Sequence, residues 1–317
     1  MPSAIDVVIV AYNRYELTSS CLSHLSAQTV EHRVIVVDNG STDDTRERIR
    51  AEWPAVQLEH FDENRGFPEA CNRGVAAGTA EIVVLLNNDV DCRPDFLERL
   101  VAPLRDPAVG SVASLMVQPG GETIDGMGLA ADSALAGFPR LQGLPVERAH
   151  DLRPVFMGPG GSAGAYRRAA WEQVGGLDEA IVAYMEDFDL ALRLRIVGWA
   201  SVAEPNAVGV HLGSATHGYR SAWQRLQAGF GRGYMLRRYG LLNGRGALRV
   251  LATEVAVVVG DLLVSHDLAA LRGRLRGWRA GRSRPLLPLP PADCLDESIG
   301  FLDSLAMRRA VYGRRAA

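Results

Sequence analysis

The chain has 317 residues, of which 47% are hydrophobic and 22% charged, so one large or two modest globular domains with a sizeable core are expected. Its four cysteines form no CxxC pair, which argues against a zinc site or a disulfide scaffold and favours a reducing compartment. The net charge of −3 is unevenly spread, because residues 1–217 carry 17 Arg against 30 Asp and Glu, whereas residues 218–317 carry 17 Arg against 7.

The first hundred residues alternate between short runs of β-branched residues and helical patterns. Apolar strands separated by such helices are typical of βαβ units and predict a parallel sheet with helices on both faces. The N-terminus has no basic segment and meets Asp6 and Asn13 early, so we predict a strand there and not a signal peptide. The predicted strands cover residues 5–11, 33–38, 56–61 and 81–86, and the predicted helices cover 15–27, 43–52 and 68–77.

Polar residues follow each of these four strands. In an open parallel sheet the ligand sits at the carboxyl ends of the strands. The residues concerned are Asn13, Asp38, Asn64, Asn87, Asn88 and Asp89. The sequence therefore predicts a ligand site along this edge of the sheet.

The pattern loosens after residue 103. Residues 118–154 are rich in Gly, Pro and Ala and predict loops and a hairpin around a binding cleft. From residue 221 the pattern is mostly helical and rich in Arg. The elements predicted between these points are a strand over 109–117, a regular segment over 162–166, helices over 168–174 and 186–197, and strands over 200–203 and 208–211.

Two motifs suit a bound nucleotide. In VIVVDNGSTDDT, residues 34–45, a carboxylate at the strand end can accept hydrogen bonds from a base or a ribose, and a capping turn explains the same residues equally well. In NRGFPEACNRG, residues 64–74, Arg65 and Arg73 can contact diphosphate oxygens, while Asx-turn chemistry explains the asparagines almost as well. Neither motif decides between binding and structure by itself.

Two acidic motifs suit catalysis. In VVLLNNDVD, residues 83–91, carboxylates at a strand end can hold Mg²⁺ or Mn²⁺ for the phosphates of a nucleotide, although short acidic clusters are also common without a metal. In MEDFDLALR, residues 185–193, the acidic residues lie in the first turn of a predicted helix. A favourable interaction with the helix dipole and an ordinary i,i+4 pair of Asp189 with Arg193 also explain them. His211, at the end of an apolar strand, is a metal-ligand candidate only if another ligand lies nearby.

The apolar segment 247–264 contains Arg249, Glu254 and Asp261, and three charges make insertion across a membrane costly. We predict a packed or interfacial helix there. Six arginines over 272–284 suit anionic headgroups, while a solvated basic helix or a dimer contact explains them as well. The anionic partners open at this point are a membrane surface, a lipid diphosphate and nucleic acid.

In combination the motifs are far more specific. Along residues 5–217 they run AYNR, VVDNGSTDDT, NRGFPEACNRG, LLNNDVD, GGSAGAYRRAAWEQVGGLDEAIVAYMEDFDLALRLRIVGW and VHLGS. This order resembles glycosyltransferase family 2, and within it the bacterial rhamnosyltransferase-like branch that acts on cell-wall or surface glycans. The resemblance implies an α/β fold of GT-A type: a Rossmann-like, mostly parallel sheet with helices on both faces.

The predicted domain organisation follows from where the resemblance stops. We expect a catalytic domain over residues 1–220, with a nucleotide-sugar half over 1–115 and an acceptor half over 116–220. Residues 221–317 are expected to form an Arg-rich C-terminal helical appendage, which the resemblance does not cover.

The resemblance also implies roles for individual residues. Asp187 is the general base, with Glu186 beside it, and Asp89 is the chief carboxylate of a metal site that His211 completes. The implied nucleotide-binding residues are Tyr12, Arg14, Asp38, Asn64, Arg65, Asn72, Asn87 and Asn88. The last two stand where many relatives have acidic residues, so the divalent ion, Mn²⁺ or Mg²⁺, should bind weakly without the nucleotide diphosphate.

The expected reaction is an inverting transfer of a sugar from a dTDP- or UDP-linked donor, with dTDP-rhamnose favoured, to a hydroxyl group of a glycan, lipid-linked or small-molecule acceptor. We expect a cytoplasmic protein without a nucleic-acid partner, peripheral at the inner face of the membrane through its tail or dimeric through the same helices. A nucleotidyltransferase would show a Gly-rich, basic loop near the first strand, which AYNRYELT does not offer. A non-catalytic nucleotide-sugar-binding protein disagrees with the presence of both Asp89 and Asp187.

Overall fold

The computed structural model describes residues 5–213, 221–244 and 246–313, with side chains as far as residue 308. Within these residues, nine strands form one sheet and two more form a separate hairpin. The strands of the large sheet are β1 Ile5–Ala11, β2 Arg33–Asn39, β3 Gln57–Phe61, β4 Ile82–Asn87, β5 Val90–Cys92, β6 Val109–Val117, β7 Ile124–Gly126, β10 Ala163–Arg167 and β11 Ala200–His211. The hairpin strands are β8 Leu129–Ala131 and β9 Gly137–Pro139.

The helices divide between the sheet and the C-terminal region. The first group is α1 Tyr15–Ser26, α2 Thr45–Glu52, α3 Phe67–Ala77, α4 Phe96–Val101, α5 Arg168–Val174 and α6 Glu186–Ile196. The second group is α7 Ala222–Arg238, α8 Ala247–Ser265, α9 Ala269–Ala280 and α10 Phe301–Gly313. Short 3₁₀ turns cover residues 102–105, 146–150, 281–283 and 292–294.

The sheet runs in the order β3-β2-β1-β4-β10-β6-β11-β5, with β7 paired to the side of β6. The first four strands of this order are parallel, as the βαβ pattern predicts. β10 is antiparallel to both β4 and β6, and β5 is antiparallel to β11, so the sheet is mixed although mostly parallel. The reversal follows a long segment of loops and short strands between β6 and β10, whose path a local pattern does not encode.

Burial on both faces explains the nearly continuous apolar strands. On β1, Val7 and Ile9 pack with α1 and α4 in one cluster, whereas Val8 packs with α3 and α5 in another. Successive side chains of a strand point to opposite faces, so a strand with a helix layer on each side is apolar at every position. The α/β fold with helices on both faces is therefore confirmed.

The predicted bounds differ from the observed ones mainly at one strand. The strand over 109–117 and the helix over 168–174 are confirmed to the residue. The two strands predicted over 200–203 and 208–211 are one strand, β11, whose register against β6 shifts between Glu204 and Val208. Pro205 lies in this gap, and a proline has no N–H to donate to the sheet.

The C-terminal helices pack directly on the catalytic part. Met235 and Leu236 of α7, with Tyr239 directly after it, share a hydrophobic cluster with Phe188 and Leu192 of α6. The division at 220/221 stays a prediction, but the two segments share this core. Among the described residues, no helix is both long and apolar enough to cross a membrane.

Candidate active site

The loops after β1 and β2 are tied together by hydrogen bonds. The backbone N–H of Asn13 donates to Ser41 Oγ (2.8 Å), and the N–H of Thr42 donates to Asn13 Oδ1 (2.8 Å). The N–H of Arg14 donates to Asp43 Oδ2 (2.9 Å). Asn13 and Arg14 both have positive φ, 55° and 58°, so the chain turns sharply at the end of β1. The two strand ends therefore form one rigid rim.

Asp38 lies at this rim and is completely buried. Its Oδ2 accepts a hydrogen bond from Arg46 Nε (2.7 Å), and its Oδ1 accepts one from the N–H of Ser41 (3.2 Å). Tyr12 is half-buried and Arg14 is exposed at the same strand end. The structure thus brings these three residues to one edge, while their contacts with a nucleoside stay predictions.

Asn39 organises the next loop, although the sequence prediction passed over it. Its Nδ2 donates to Asn64 Oδ1 (3.2 Å), and its Oδ1 accepts from the N–H of Arg65 (2.9 Å). The N–H of Gly66 also donates to Asn64 Oδ1 (3.0 Å). The guanidinium group of Arg65 lies near Glu63 (3.3 Å) and is 50% exposed, so it is accessible to a ligand. The only signal for Asn39 in the sequence was its place beside Asp38 at a strand end.

Asn72 braces a neighbouring loop. Its Nδ2 donates to the carbonyl oxygen of Leu177 (2.9 Å) and to Glu179 Oε1 (2.9 Å), and its Oδ1 accepts from the N–H of Leu177 (3.0 Å). Both hydrogens of the amide are therefore in use. A contact of Asn72 with the nucleotide would have to replace bonds that hold residues 177–179 in place, and that contact stays a prediction.

A carboxylate and an imidazole meet where β4 and β11 end. His211 Nε2 lies 3.4 Å from Asp89 Oδ1, and His211 Nδ1 lies 2.7 Å from Asp125 Oδ2. Burial by itself would lower the pKa of His211, but the hydrogen bonds and charges of Asp125 and Asp89 outweigh it and raise that pKa to about 10. The sequence prediction missed Asp125, because an aspartate in a Gly-rich loop gives no signal of this role.

The other polar residues of the metal motif face elsewhere. Asn88 Nδ2 donates to Thr18 Oγ1 of α1 (3.0 Å). Asp91 accepts a hydrogen bond from Ser20 Oγ of the same helix (2.9 Å). Asn87 is half-buried at the end of β4. Among the carboxylates of this motif, Asp89 is thus the one beside His211, and the nucleotide contacts of the two asparagines stay predictions.

The chemistry of this pair suits a divalent ion that is held only weakly by the protein, because the ion would have to displace the proton that Asp89 and Asp125 stabilise on His211. Among the described residues, no three His, Cys, Asp or Glu side chains come together as a metal site. Ligand atoms 3.4 Å apart, as in Asp89 and His211, are close enough to bind one ion together, and a mix of carboxylate and imidazole suits Mn²⁺ at least as well as Mg²⁺. Asp125 would then fix the ring of His211 through Nδ1, as carboxylates behind histidine ligands do.

The second acidic motif starts helix α6. Asp187 Oδ2 accepts a hydrogen bond from the N–H of Gly161 (2.8 Å), and its Oδ1 accepts one from the N–H of Phe188 (2.7 Å). Burial raises the pKa of Asp187, and these two bonds oppose the rise. Glu186 is buried and its Oε2 has no hydrogen-bond partner among the described residues. Burial, followed by the charge of Asp187, raises the pKa of Glu186 to about 8.

The space in front of Asp187 is kept open by two glycines. A Cβ atom on Gly161 would lie 3.4 Å from Asp187 Oδ2, and one on Gly160 would lie 4.0 Å from it. The same loop joins the two acidic motifs, because the N–H of Asn87 donates to the carbonyl oxygen of Ser162 (2.9 Å). Ser162 directly follows Gly161, so the loop that bonds Asp187 is also hydrogen-bonded to the end of β4. The predicted metal motif and the predicted base therefore lie at the same end of the sheet.

The fold is shared with solved glycosyltransferases of GT-A type. The chain is similar to a mannosyltransferase from Pyrobaculum calidifontis, solved with GDP-mannose and Mn²⁺, with a TM-score of 0.54 and 20% identity over 98% of this chain and 81% of the other. It is also similar to GalNAc-T7, solved with UDP, GalNAc and Mn²⁺, with a TM-score of 0.62 and 13% identity over 98% of this chain and 58% of the other. These likenesses establish the fold class.

The sequence comparison establishes the family. Residues 6–175 match the family model described as glycosyl transferase family 2, and the chain belongs to that family. It is 32% identical over 235 residues to the N-acetylglucosaminyl-diphospho-decaprenol L-rhamnosyltransferase of Mycobacterium tuberculosis. The aligned region covers 67% of this chain and 76% of that protein. The predicted resemblance is thereby confirmed, and the nucleotidyltransferase alternative is removed.

Proposed function

We propose that the chain is an inverting, metal-dependent glycosyltransferase that moves rhamnose from dTDP-rhamnose to a hydroxyl group of a lipid-linked glycan. The observation that carries the proposal is the pair formed by buried Glu186 and half-buried Asp187, joined through one loop to the strand end that bears Asp89 and His211. The name of the mycobacterial relative supports both rhamnose and a lipid diphosphate acceptor. The UDP-linked donors stay the alternative.

Asp187 would act as the general base. Each of its oxygens accepts one backbone hydrogen bond and retains a lone pair, and its raised pKa makes it a better proton acceptor. The acceptor oxygen attacks the anomeric carbon, its proton passes to Asp187, and the bond from that carbon to the diphosphate breaks with its electron pair staying on the diphosphate. One displacement inverts the anomeric configuration, and no covalent enzyme intermediate is required.

The remaining residues would bind and orient the donor. The rim formed by Tyr12, Arg14 and Asp38 would receive the nucleoside, and Arg65 would lie near the diphosphate. A divalent ion held by Asp89 and His211 would neutralise charge on the departing diphosphate. Holding donor and acceptor in one geometry makes the transfer effectively unimolecular.

The test is transfer measured with a panel of donors and acceptors, in Mn²⁺, in Mg²⁺ and in a chelator. dTDP-rhamnose, UDP-glucose and GDP-mannose should each be offered with an N-acetylglucosaminyl diphospholipid, and the product identified by mass spectrometry. We expect turnover with dTDP-rhamnose that the chelator suppresses, and the anomeric configuration of the product should be opposite to that of the donor. Binding of a donor without turnover for any acceptor would favour the non-catalytic alternative.

The proposed place of action is the cytoplasmic face of a membrane. A nucleotide-sugar donor is water-soluble, whereas a lipid-linked acceptor is confined to the bilayer, so the enzyme has to work at the boundary between them. Homodimerisation through the C-terminal helices is the rival explanation for their exposed apolar surface. Membrane binding and homodimerisation predict different partners for the exposed surface of helix α8.

A further inference from the structure

Helix α8 differs from an ordinary surface helix in which side faces solvent. Its acidic residues face the protein, and its exposed residues are apolar. Glu254 is buried and pairs with Arg232 of α7 (2.7 Å) and Arg274 of α9 (2.9 Å). Asp261 faces the same neighbours and lies 3.6 Å from Arg225 of α7. Two of the three charges that make this segment unsuited to cross a membrane are thus paired with arginines inside the fold.

The outer side of α8 is entirely apolar. Its exposed residues are Leu248, Leu251, Ala252, Val255, Val259, Gly260, Leu262, Leu263 and Val264. Six large side chains among them recur at helical spacing and form one stripe, the α8 stripe: Leu248, Leu251, Val255, Val259, Leu262 and Leu263. Single exposed leucines are common, but an apolar stripe along a 19-residue helix indicates a surface that binds another molecule or a membrane.

Helix α9 adds positive charge beyond the end of this stripe. It exposes Arg272, Arg276 and Arg279, together with Leu275, which is 49% exposed. Residues 266–268 are all that separate α8 from α9. The opposite face of α9 is closely packed on α7 through glycines, where any Cβ atom would clash with backbone of the partner helix. The arginines are therefore held on a firmly anchored helix.

The inner side of α8 reaches the vicinity of the proposed base. Val257 of α8 and Met185 line the same small cavity, together with Arg232 and Arg274. Met185 immediately precedes Glu186, and Gly231 of α7 is packed so closely on residues 184–185 that a Cβ atom would lie 2.7 Å from the carbonyl oxygen of Tyr184. The stripe and the start of α6 are thus opposite sides of one packed layer.

We propose that the α8 stripe and the exposed arginines of α9 dock the protein on the surface of an anionic lipid bilayer. The apolar side chains enter the boundary between headgroups and acyl chains, and the guanidinium groups pair with lipid phosphates. A second copy of the chain would also cover the stripe. In a two-fold contact, however, the arginines of one copy would need acidic partners on the other, and the exposed side of α8 offers none. Charge complementarity therefore favours the bilayer.

The biological reason for docking rests on the proposed function, because a lipid-linked acceptor is presented at such a surface. The measurement of docking needs neither substrate. The wild-type protein should sediment with vesicles of phosphatidylcholine and phosphatidylglycerol at low salt, and more weakly with phosphatidylcholine alone. The double variant Leu251→Glu/Val255→Glu should reduce partitioning by about a hundredfold, since each lost apolar insertion costs roughly tenfold. Leu152→Glu, at a position 89% exposed in the catalytic part, is the matched control and should leave partitioning unchanged.

The arginines are tested separately. Arg272→Gln/Arg276→Gln should lower partitioning onto anionic vesicles by about thirtyfold at low salt, with little effect on neutral vesicles. High salt should weaken the wild-type protein towards the level of this variant, because the Debye length is then only about 3 Å at 1 M. Circular dichroism checks that every variant is folded, and Leu251→Gln/Val255→Gln replaces the glutamate pair if that pair unfolds.

Three results would overturn the proposal. One is that the wild-type protein does not sediment with anionic vesicles at low salt. Another is that the stripe variant sediments like the wild type. The third is a stable dimer in light scattering that the stripe variant dissociates, together with no vesicle binding, which would assign the stripe to a second copy. Turnover with a water-soluble acceptor is measured in parallel, so that lost docking with intact turnover rejects only the docking, and docking without turnover rejects only the proposed activity.

Discussion

The buried carboxyl group of Glu186 imposes a cost on folding that pH should reveal. Its pKa is about 8 in the folded chain, against an ordinary 4.5. The folded chain then holds a proton that the unfolded chain has released, so the free energy of unfolding falls as pH rises from about 4.5 to about 8. At about 1.4 kcal/mol per pKa unit, the loss reaches about 3 kcal/mol at pH 7 and about 5 kcal/mol above pH 8.

Glu186→Gln keeps the shape of the side chain and removes its titration. Near pH 5 the variant and the wild type should differ by about 1 kcal/mol or less, because a protonated carboxyl group and an amide are both neutral and both lack a partner here. At pH 8 the variant should be more stable by about 3–5 kcal/mol. Urea denaturation followed by circular dichroism at several pH values between 5 and 8 measures the difference, and Glu172→Gln, at an exposed position of α5, is the matched control.

A stability difference that stays constant across this pH range would contradict the account, since Glu186 would then not titrate there. A difference that favours the wild type increasingly at high pH would mean that the ionised carboxylate is stabilised by a positive partner. Activity at pH 7 is a separate readout, because a more stable variant with reduced turnover would mark a carboxyl group retained for function.

The remaining predictions concern the base and the metal ligands. Asp187→Asn should lower turnover by 10²–10⁴-fold with donor affinity nearly unchanged, and a variant that keeps more than about a tenth of wild-type turnover would not fit a general base. Asp89→Ala and His211→Ala should both weaken the metal-dependent part of nucleoside diphosphate binding in titration calorimetry, and unchanged metal dependence would take the residue concerned out of the site. Asp125→Asn should weaken Mn²⁺ binding by about 10–100-fold without affecting metal-free diphosphate binding, whereas Asp91→Asn, which faces α1, should have no such effect.

Local periodicity predicted many of the regular elements well. Strand β6 and helix α5 have the predicted bounds, because an unbroken apolar run and a helix between a strand and a glycine are both local signals. The direction of β10 was beyond such signals, since it depends on the route of a long irregular segment. The short strand β5 was missed for a related reason: three residues directly after a polar turn carry no periodicity of their own.

The site shows the same limit at the level of side chains. Asp89 and His211 were predicted as partners through the family resemblance, and the structure brings them together although 122 positions separate them. Asp125 comes to the same place through the pairing of β7 with β6, which no motif announces. Asn72 lies in the predicted nucleotide-binding motif, and its amide group braces residues 177–179 in this structure, which the motif alone does not reveal. A motif predicts which polar residues gather at a strand end, but the side-chain partners decide what each one does.

The C-terminal helices connect the proposed docking surface to the proposed base through fixed contacts. Tyr239, directly after α7, donates a hydrogen bond to the buried Asp189 (2.8 Å), two residues beyond Asp187 on α6. Tyr234 of α7 donates to Asp178 (2.6 Å), in the loop that Asn72 braces. A protein docked through the α8 stripe would therefore hold α6 at a set orientation to the bilayer, because these contacts join α6 to α7 and α7 packs closely on α9. The net positive charge of residues 218–317 then suits the anionic surface on which we propose that they dock.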